Sequence, residues 1–201
     1  MEGDIVDLQG EIQLLTVLPF SLDTLKIAGQ KMGTKVEWEI ASLDIPAKVW
    51  VEADGRRVAD FILDERKGMR LDGAINKDSV VVSGGKLERE YRLLHQFLDE
   101  KYHQPLEEIN QSISRMVSRR NRTSSDEKRL KRLVTLKGHY ERYRGAYIKK
   151  LIRANLSHEL SLVLIEEELR DSVEVQKQLF HELKIENKNS NLYRILEKRL
   201  Q

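Results

Sequence analysis

The sequence predicts an α+β chain, with a small β-rich domain over residues 1–84 followed by an α-helical domain over residues 85–201. Three observations carry this. All three prolines (Pro19, Pro46, Pro105) and nine of the eleven glycines precede Leu106, and these residues punctuate strands and turns rather than helices. Lys35–Ile40 alternates charged and apolar side chains with the period of two of a half-buried strand. From Lys86 the period changes, and Leu87, Tyr91, Leu94, Leu98, Tyr102, Leu106, Ile109, Ile113 and Met116 recur at steps of three or four, the spacing of one helix face.

The elements follow in order. Ile12–Leu18 is a β-rich run ended by Pro19, Leu25–Ile27 stops at Gly29, and Ala47–Glu52 fits a strand or a short helix. Asp54-Gly55 is a turn signal before Val58–Leu63. Val80–Val82 is the last strand candidate, and Ser83-Gly84-Gly85 reads as an interdomain hinge. Pro105 lies inside the helical pattern, where it kinks the helix or opens a second one. Ser118–Ser125 is polar and reads as an exposed loop, with Ser125 as the cap of the next helix. A further helix is expected from about Ser157 or Leu160 to Leu183, then a break at Asn187–Asn191 and a short helix over Leu192–Leu200.

Composition narrows the function. Charged residues make up 34% and aromatics 6%, a balance suited to an interaction protein. Cysteine is absent, which removes disulfides, thiolate zinc sites and cysteine nucleophiles. The acidic start is read as no signal peptide, and no run reaches the roughly 18 apolar residues of a membrane span. The expectation is a cytoplasmic protein. His95 and His103 are eight residues apart, too far for one helical ligand face, and no HxxxH or HExxH pair occurs among the five histidines, so no metal is expected. Glu166-Glu167-Glu168 reads as a solvated helix face. The Ser83–Lys86 segment lacks the spacing of a phosphate-binding loop. No catalytic residue and no cofactor is expected.

The strongest signal is basic. From Arg115 to Arg153 there are fourteen Lys and Arg against three Asp and Glu, although the whole chain carries only +2. Within it, Asp126–Leu156 reads as one helix with an apolar stripe of Leu133, Leu136, Tyr140, Tyr143, Tyr147 and Leu151. This stripe and the one beginning at Leu87 are expected to bury against each other and against a partner, each large side chain contributing roughly 1.5–3 kcal/mol. Tyr91 and Leu98 are expected to share that partner interface. Arg119, Arg120, Arg122, Arg142, Arg144, Lys149, Lys150 and Arg153 are the candidates for contact with an acidic partner or with DNA.

Two stretches near the start add a resemblance. Glu11-Ile12 with Leu14–Asp23, containing Phe20-Ser21-Leu22-Asp23, precedes Leu25-Lys26-Ile27 and Ile45-Pro46-Ala47-Lys48-Val49-Trp50. Together with Tyr140–Arg144 and Ile148–Leu151, this resembles GINS subunits of the archaeal type whose small β domain precedes the helical domain. The chain departs from that pattern at Gln30–Ile40, which stands where a glycine- and proline-rich segment is usual. The resemblance implies a non-catalytic, nucleoid-associated subunit of a tetramer in DNA replication. Its implied partners are sister subunits, the MCM helicase and a RecJ-like protein, with DNA as a further possible contact. The rival reading is a stand-alone nucleic-acid-binding protein that uses residues 115–153.

Overall fold

The structure is a computed structural model and describes every residue except Asp78, Arg120, Arg122 and Asp171. Among the described residues the strands are β1 (Glu2–Val6), β2 (Ile12–Val17), β3 (Thr24–Ala28), β4 (Gln30–Met32), β5 (Lys35–Glu37), β6 (Ala47–Ala53), β7 (Arg56–Leu63), β8 (Arg70–Ala74) and β9 (Val81–Ser83). The helices are α1 (Lys86–Leu98), α2 (Gln104–Val117), α3 (Ser124–Ala154), α4 (Leu160–Glu168), α5 (Val173–Glu182) and α6 (Asn191–Leu200), with a π turn over Asp99–His103. The fold class is α+β. Two compact units result: Met1–Tyr91 with Asn155–Gln201, and Arg92–Ala154.

In the first unit, one sheet has the order β4-β5-β1-β8-β9 and the other β3-β2-β6-β7. Strand β6 settles the Ala47–Glu52 alternative, because Ala47, Val49, Val51 and Ala53 all point into one core with Lys48, Trp50 and Glu52 on the opposite face. Asp54 and Gly55 both take positive φ, as the tight β6–β7 turn requires, and the Asp54 carboxylate accepts the Gly10 N–H at 2.6 Å. Leu14, Val36, Leu63 and Leu71 bring both sheets into that single core.

The C-terminal helices return to this unit, so the expected boundary at residues 84/85 falls inside it. Two hydrogen bonds fix the start of α1 to β7 and its exit: Leu87 N–H donates to Asp64 Oδ2 at 2.6 Å, and Ile62 N–H donates to the buried Glu88 Oε2 at 2.7 Å. The expected hinge is a locked junction for the same reason. A Cβ on Gly84 would lie 2.2 Å from the Gly68 carbonyl oxygen, and one on Gly85 would lie 2.3 Å from Asp64 Oδ1.

The single helix expected up to Leu183 is two helices, α4 and α5. In α4, Leu162, Val163, Leu164 and Ile165 are buried all round, as befits a helix with no polar face at its centre. The three glutamates that follow are not a solvated face. Glu167 pairs with Lys48 and Arg170, Glu166 with Arg199, and the buried Glu168 accepts the Tyr91 hydroxyl at 3.3 Å. Burial first, then the nearby Glu168 and Glu167, push the Tyr91 phenol far above its usual range. At α6, Asn191 N–H donates to Asp44 O at 2.8 Å and Leu192 N–H to Pro46 O at 3.1 Å, which seats the helix N-terminus on the β-rich part.

The second unit is a helical hairpin. Pro105 has no N–H to offer the Lys101 carbonyl four residues back, and the chain accommodates this with a π turn directly before α2, where Gln104 N–H donates to Asp99 O. Pro105 thus opens a second helix. At the start of α3 the cap is Thr123 rather than Ser125: Thr123 Oγ1 accepts the Asp126 N–H at 3.2 Å, and Asp126 Oδ2 accepts the Thr123 N–H at 3.0 Å. This reciprocal pair is a capping box.

Two glycines in α3, Gly138 and Gly145, face open space: a Cβ added at either would meet no atom within 4 Å. Glycine inside a helix and away from packing loses roughly 0.5–1 kcal/mol relative to alanine. Gly138→Ala and Gly145→Ala should each stabilise the isolated chain by about that amount in urea denaturation; a loss of stability would mean that these positions are packed.

Candidate functional site

The site is built on α3 and on the arm formed by Arg92–Leu98, the π turn and α2. The two arms run antiparallel. Tyr147 near the C-terminal end of α3 meets Phe97 and Tyr102, with ring centroids 5.5 and 6.2 Å apart, whereas Asp126 at its start meets Arg119 at 3.2 Å. The seam on α3 is a heptad line of half-buried residues, Leu130, Leu133, Lys137, Tyr140, Arg144, Tyr147 and Leu151, with Ile148 and Ile152 fully buried beside it. Ile109 and Met116 are the buried residues of α2.

Two inner positions of this line are cationic. Lys137 pairs with Glu141 at 3.7 Å, and long basic side chains can cover apolar surface with their stems. Arg144 Nε donates to His103 Nε2 at 2.8 Å, and His103 Nδ1 lies 3.6 Å from Asp99. The His103 ring stands 5.9 Å from that of His95. The eight-residue separation therefore does not keep the two histidines apart, because the π turn between them changes the helical phase. Among the described residues no group of three His, Cys, Asp or Glu could hold a metal ion. Lys101, from the same turn, lies over the rings of Phe97, Tyr102 and Tyr147 at 5.1–5.9 Å.

Against this geometry the expected interface residues divide. Leu133, Tyr140, Tyr147 and Leu151 lie in the seam and are half-buried. Leu136 and Tyr143 do not: they are 45% and 65% exposed. Each sits one residue away from the inward positions Lys137 and Arg144, so each points out of the seam. Leu98 is fully buried, and Tyr91 is half-buried with its hydroxyl on Glu168, so neither offers free apolar surface.

The expected cations divide too. Arg142, Lys150 and Arg153 are exposed, Lys149 is half-buried, Arg119 pairs with Asp126, and Arg144 turns inward to His103. Arg120 and Arg122 lie outside the described residues. Lys128, Lys131 and Arg132, from the basic stretch over residues 115–153, line with Thr135, Leu136 and His139 a shallow trough of about 550 Å³ on α3; the basic pattern alone does not mark His139.

The first unit has a cleft of about 440 Å³ beside α1, lined by Asp64, Glu65, Glu90, Glu159 and Glu186 together with Lys86 and His158. Burial pushes the Glu159 carboxyl up, partly offset by a hydrogen bond from Asn187 and by His158. So acidic a lining disfavours phosphate. Among the described residues, no helix is long and apolar enough to cross a membrane. No protein-family model, curated protein or solved structure matches the chain.

The capping box gives a pH test. The N–H and hydroxyl of Thr123, then Arg119, hold the Asp126 carboxyl below its usual range. A depressed folded-state value stabilises above the ordinary carboxylate range and is lost as pH falls through the depressed one. Thr123→Ala removes the hydroxyl that caps the Asp126 N–H and donates to Asp126 Oδ2, so it should destabilise α3, with the part due to the carboxylate shrinking on acidification. A difference independent of pH would rule out the hydroxyl–carboxylate bond.

Proposed function

We propose that the protein is a non-catalytic assembly subunit of GINS type, one member of a tetramer that supports a replicative MCM helicase and meets a RecJ-like partner. The observation that carries this reading is the Arg92–Ala154 hairpin, a compact unit that leaves Leu93, Val134, Leu136 and Tyr143 at 64%, 53%, 45% and 65% exposure. Of these, Leu136 and Tyr143 stand one heptad apart on the same edge of α3, and large apolar side chains exposed in line on a helix mark a protein–protein contact. The resemblance at Leu14–Asp23 and Ile45–Trp50 supports the GINS type, and Phe20 and Leu22, exposed in the β2–β3 connection at 75% and 44%, supply a separate apolar point on the first unit. Those two residues give the β-rich part its own docking element.

A second reading, a stand-alone nucleic-acid-binding protein, draws on Lys128, Lys131, Arg132 and Arg142, for which no ion pair is seen among the described residues. Lysine and arginine of this kind neutralise phosphates and release counterions.

Size-exclusion chromatography with light scattering, on the chain alone and co-expressed with candidate sister subunits, separates the two readings. A stable hetero-oligomer of tetrameric mass is expected. A monomer that binds no protein but holds DNA with a steep salt dependence, a slope of about −0.9 per phosphate contacted, would overturn the first reading in favour of the second.

A further inference from the structure

We infer that the open face of α3 seats an acidic amphipathic helix of another protein, held along the line Arg129–Leu136–Tyr143–Lys150. The inference rests on the hairpin being an assembly element and adds the chemistry of what it binds. The four residues are seven apart, so they share one edge of the helix over about 31 Å. The pattern along it is cation, apolar, apolar, cation. Leu136 and Tyr143 are the apolar pair, both exposed, and Lys128, Arg132 and His139 stand beside them on the same side of the helix.

Carboxylates are missing from this edge. The three acids of α3 are Asp126, Glu127 and Glu141, and helical periodicity puts Glu127 and Glu141 on other sides. Asp126, a turn before Arg129, is committed to Thr123 and Arg119, and Glu141 to Lys137. The edge therefore presents an apolar ridge inside a frame of positive charge, next to the trough at Thr135 and Leu136.

Charge complementarity selects the occupant. A second copy of this chain would set the same cationic edge against itself, with Arg129 facing Lys150 in an antiparallel pairing, and like charges so placed repel. Duplex DNA would match the charge but leave Leu136 without an apolar partner. A helix with two large apolar residues seven apart and a carboxylate seven residues beyond each satisfies all four positions at once, with apolar contact supplying affinity and the charges fixing register.

The test uses the full chain and a labelled synthetic peptide about four heptads long, helical, with two leucines seven apart and glutamates at the flanking heptad positions. Fluorescence anisotropy should show saturable binding. The double variant Leu136→Ala/Tyr143→Ala and the charge reversal Arg129→Glu/Lys150→Glu should each weaken it by about tenfold or more, equivalent to at least 1.4 kcal/mol. Because all four side chains are exposed, circular dichroism of both variants should match that of the unmodified chain. A peptide with lysine in place of glutamate should not bind. Equal binding of the lysine peptide, no effect of either variant, or self-association of the chain through this edge would overturn the inference, as would duplex DNA binding in place of the acidic peptide. If the double variant still assembles with sister subunits, the assembly reading stands and this edge is not its seat.

Discussion

A hairpin of two helices has one seam, and along the middle of α3 the large side chains off that seam, Val134, Leu136 and Tyr143, meet water. This constraint governs the second unit. The α3 seam takes a strict heptad line with Lys137 and Arg144 inside it, so the apolar residues one step before them, Leu136 and Tyr143, are turned outward. Had the seam followed the apolar residues alone, both cations would have pointed to solvent and the outer face would have been polar. Instead, Arg144 is satisfied by His103 from the π turn, and that turn exists because Pro105 cannot donate a helical hydrogen bond. One backbone defect on one arm thus supports the register that exposes an apolar ridge on the other.

The first unit is built on the opposite principle, with several carboxylates drawn inward and paired. Glu88 accepts the Ile62 N–H, Glu167 holds Lys48 of β6, and Glu168 holds Tyr91. Such pairs add little net stability compared with apolar packing, but removal of one partner leaves a buried charge and is costly. They therefore act chiefly to fix where α1 and α4 sit on the β-rich part. Some of the acidity that offsets the basic segment across the sequence is thus consumed locally, at Glu88, Glu167 and Glu168.

Much of this architecture is legible in the residues. The strands β2, β3 and β7, the Asp54-Gly55 turn, the long helical pattern through Met116 and the closing helix all carry strong local signals, whereas β6 reads equally as a strand or a short helix until its alternation is seen in the core. The strands β1, β4 and β8 do not. Strand β1 (Glu-Gly-Asp-Ile-Val) has only two inward residues and pairs in parallel with β8, far along the chain, so its stability comes from contacts that no local window contains. The domain boundary is misplaced in sequence because a glycine pair reads there as a hinge, whereas tight approaches to Gly68 and Asp64 require it. The apolar stripe of α3 places Leu136 and Tyr143 inside because a pattern of apolar residues cannot register a seam that includes lysine and arginine. The correct phase is present at Leu130, Leu133, Tyr140, Tyr147 and Leu151, and two charges hide it.

The outward phase of Leu136 and Tyr143 is directly measurable, because the chain contains no cysteine. Single cysteines at Leu136, Tyr143, Ile148 and Ile152 can be challenged with a water-soluble thiol reagent under native conditions. Cysteines at Leu136 and Tyr143 should react at close to the rate of the unfolded chain, whereas those at Ile148 and Ile152 should be slowed by orders of magnitude, in proportion to the opening equilibrium of the buried helix. Protection of the Leu136 and Tyr143 positions equal to that at Ile152 in the isolated chain would contradict that outward phase.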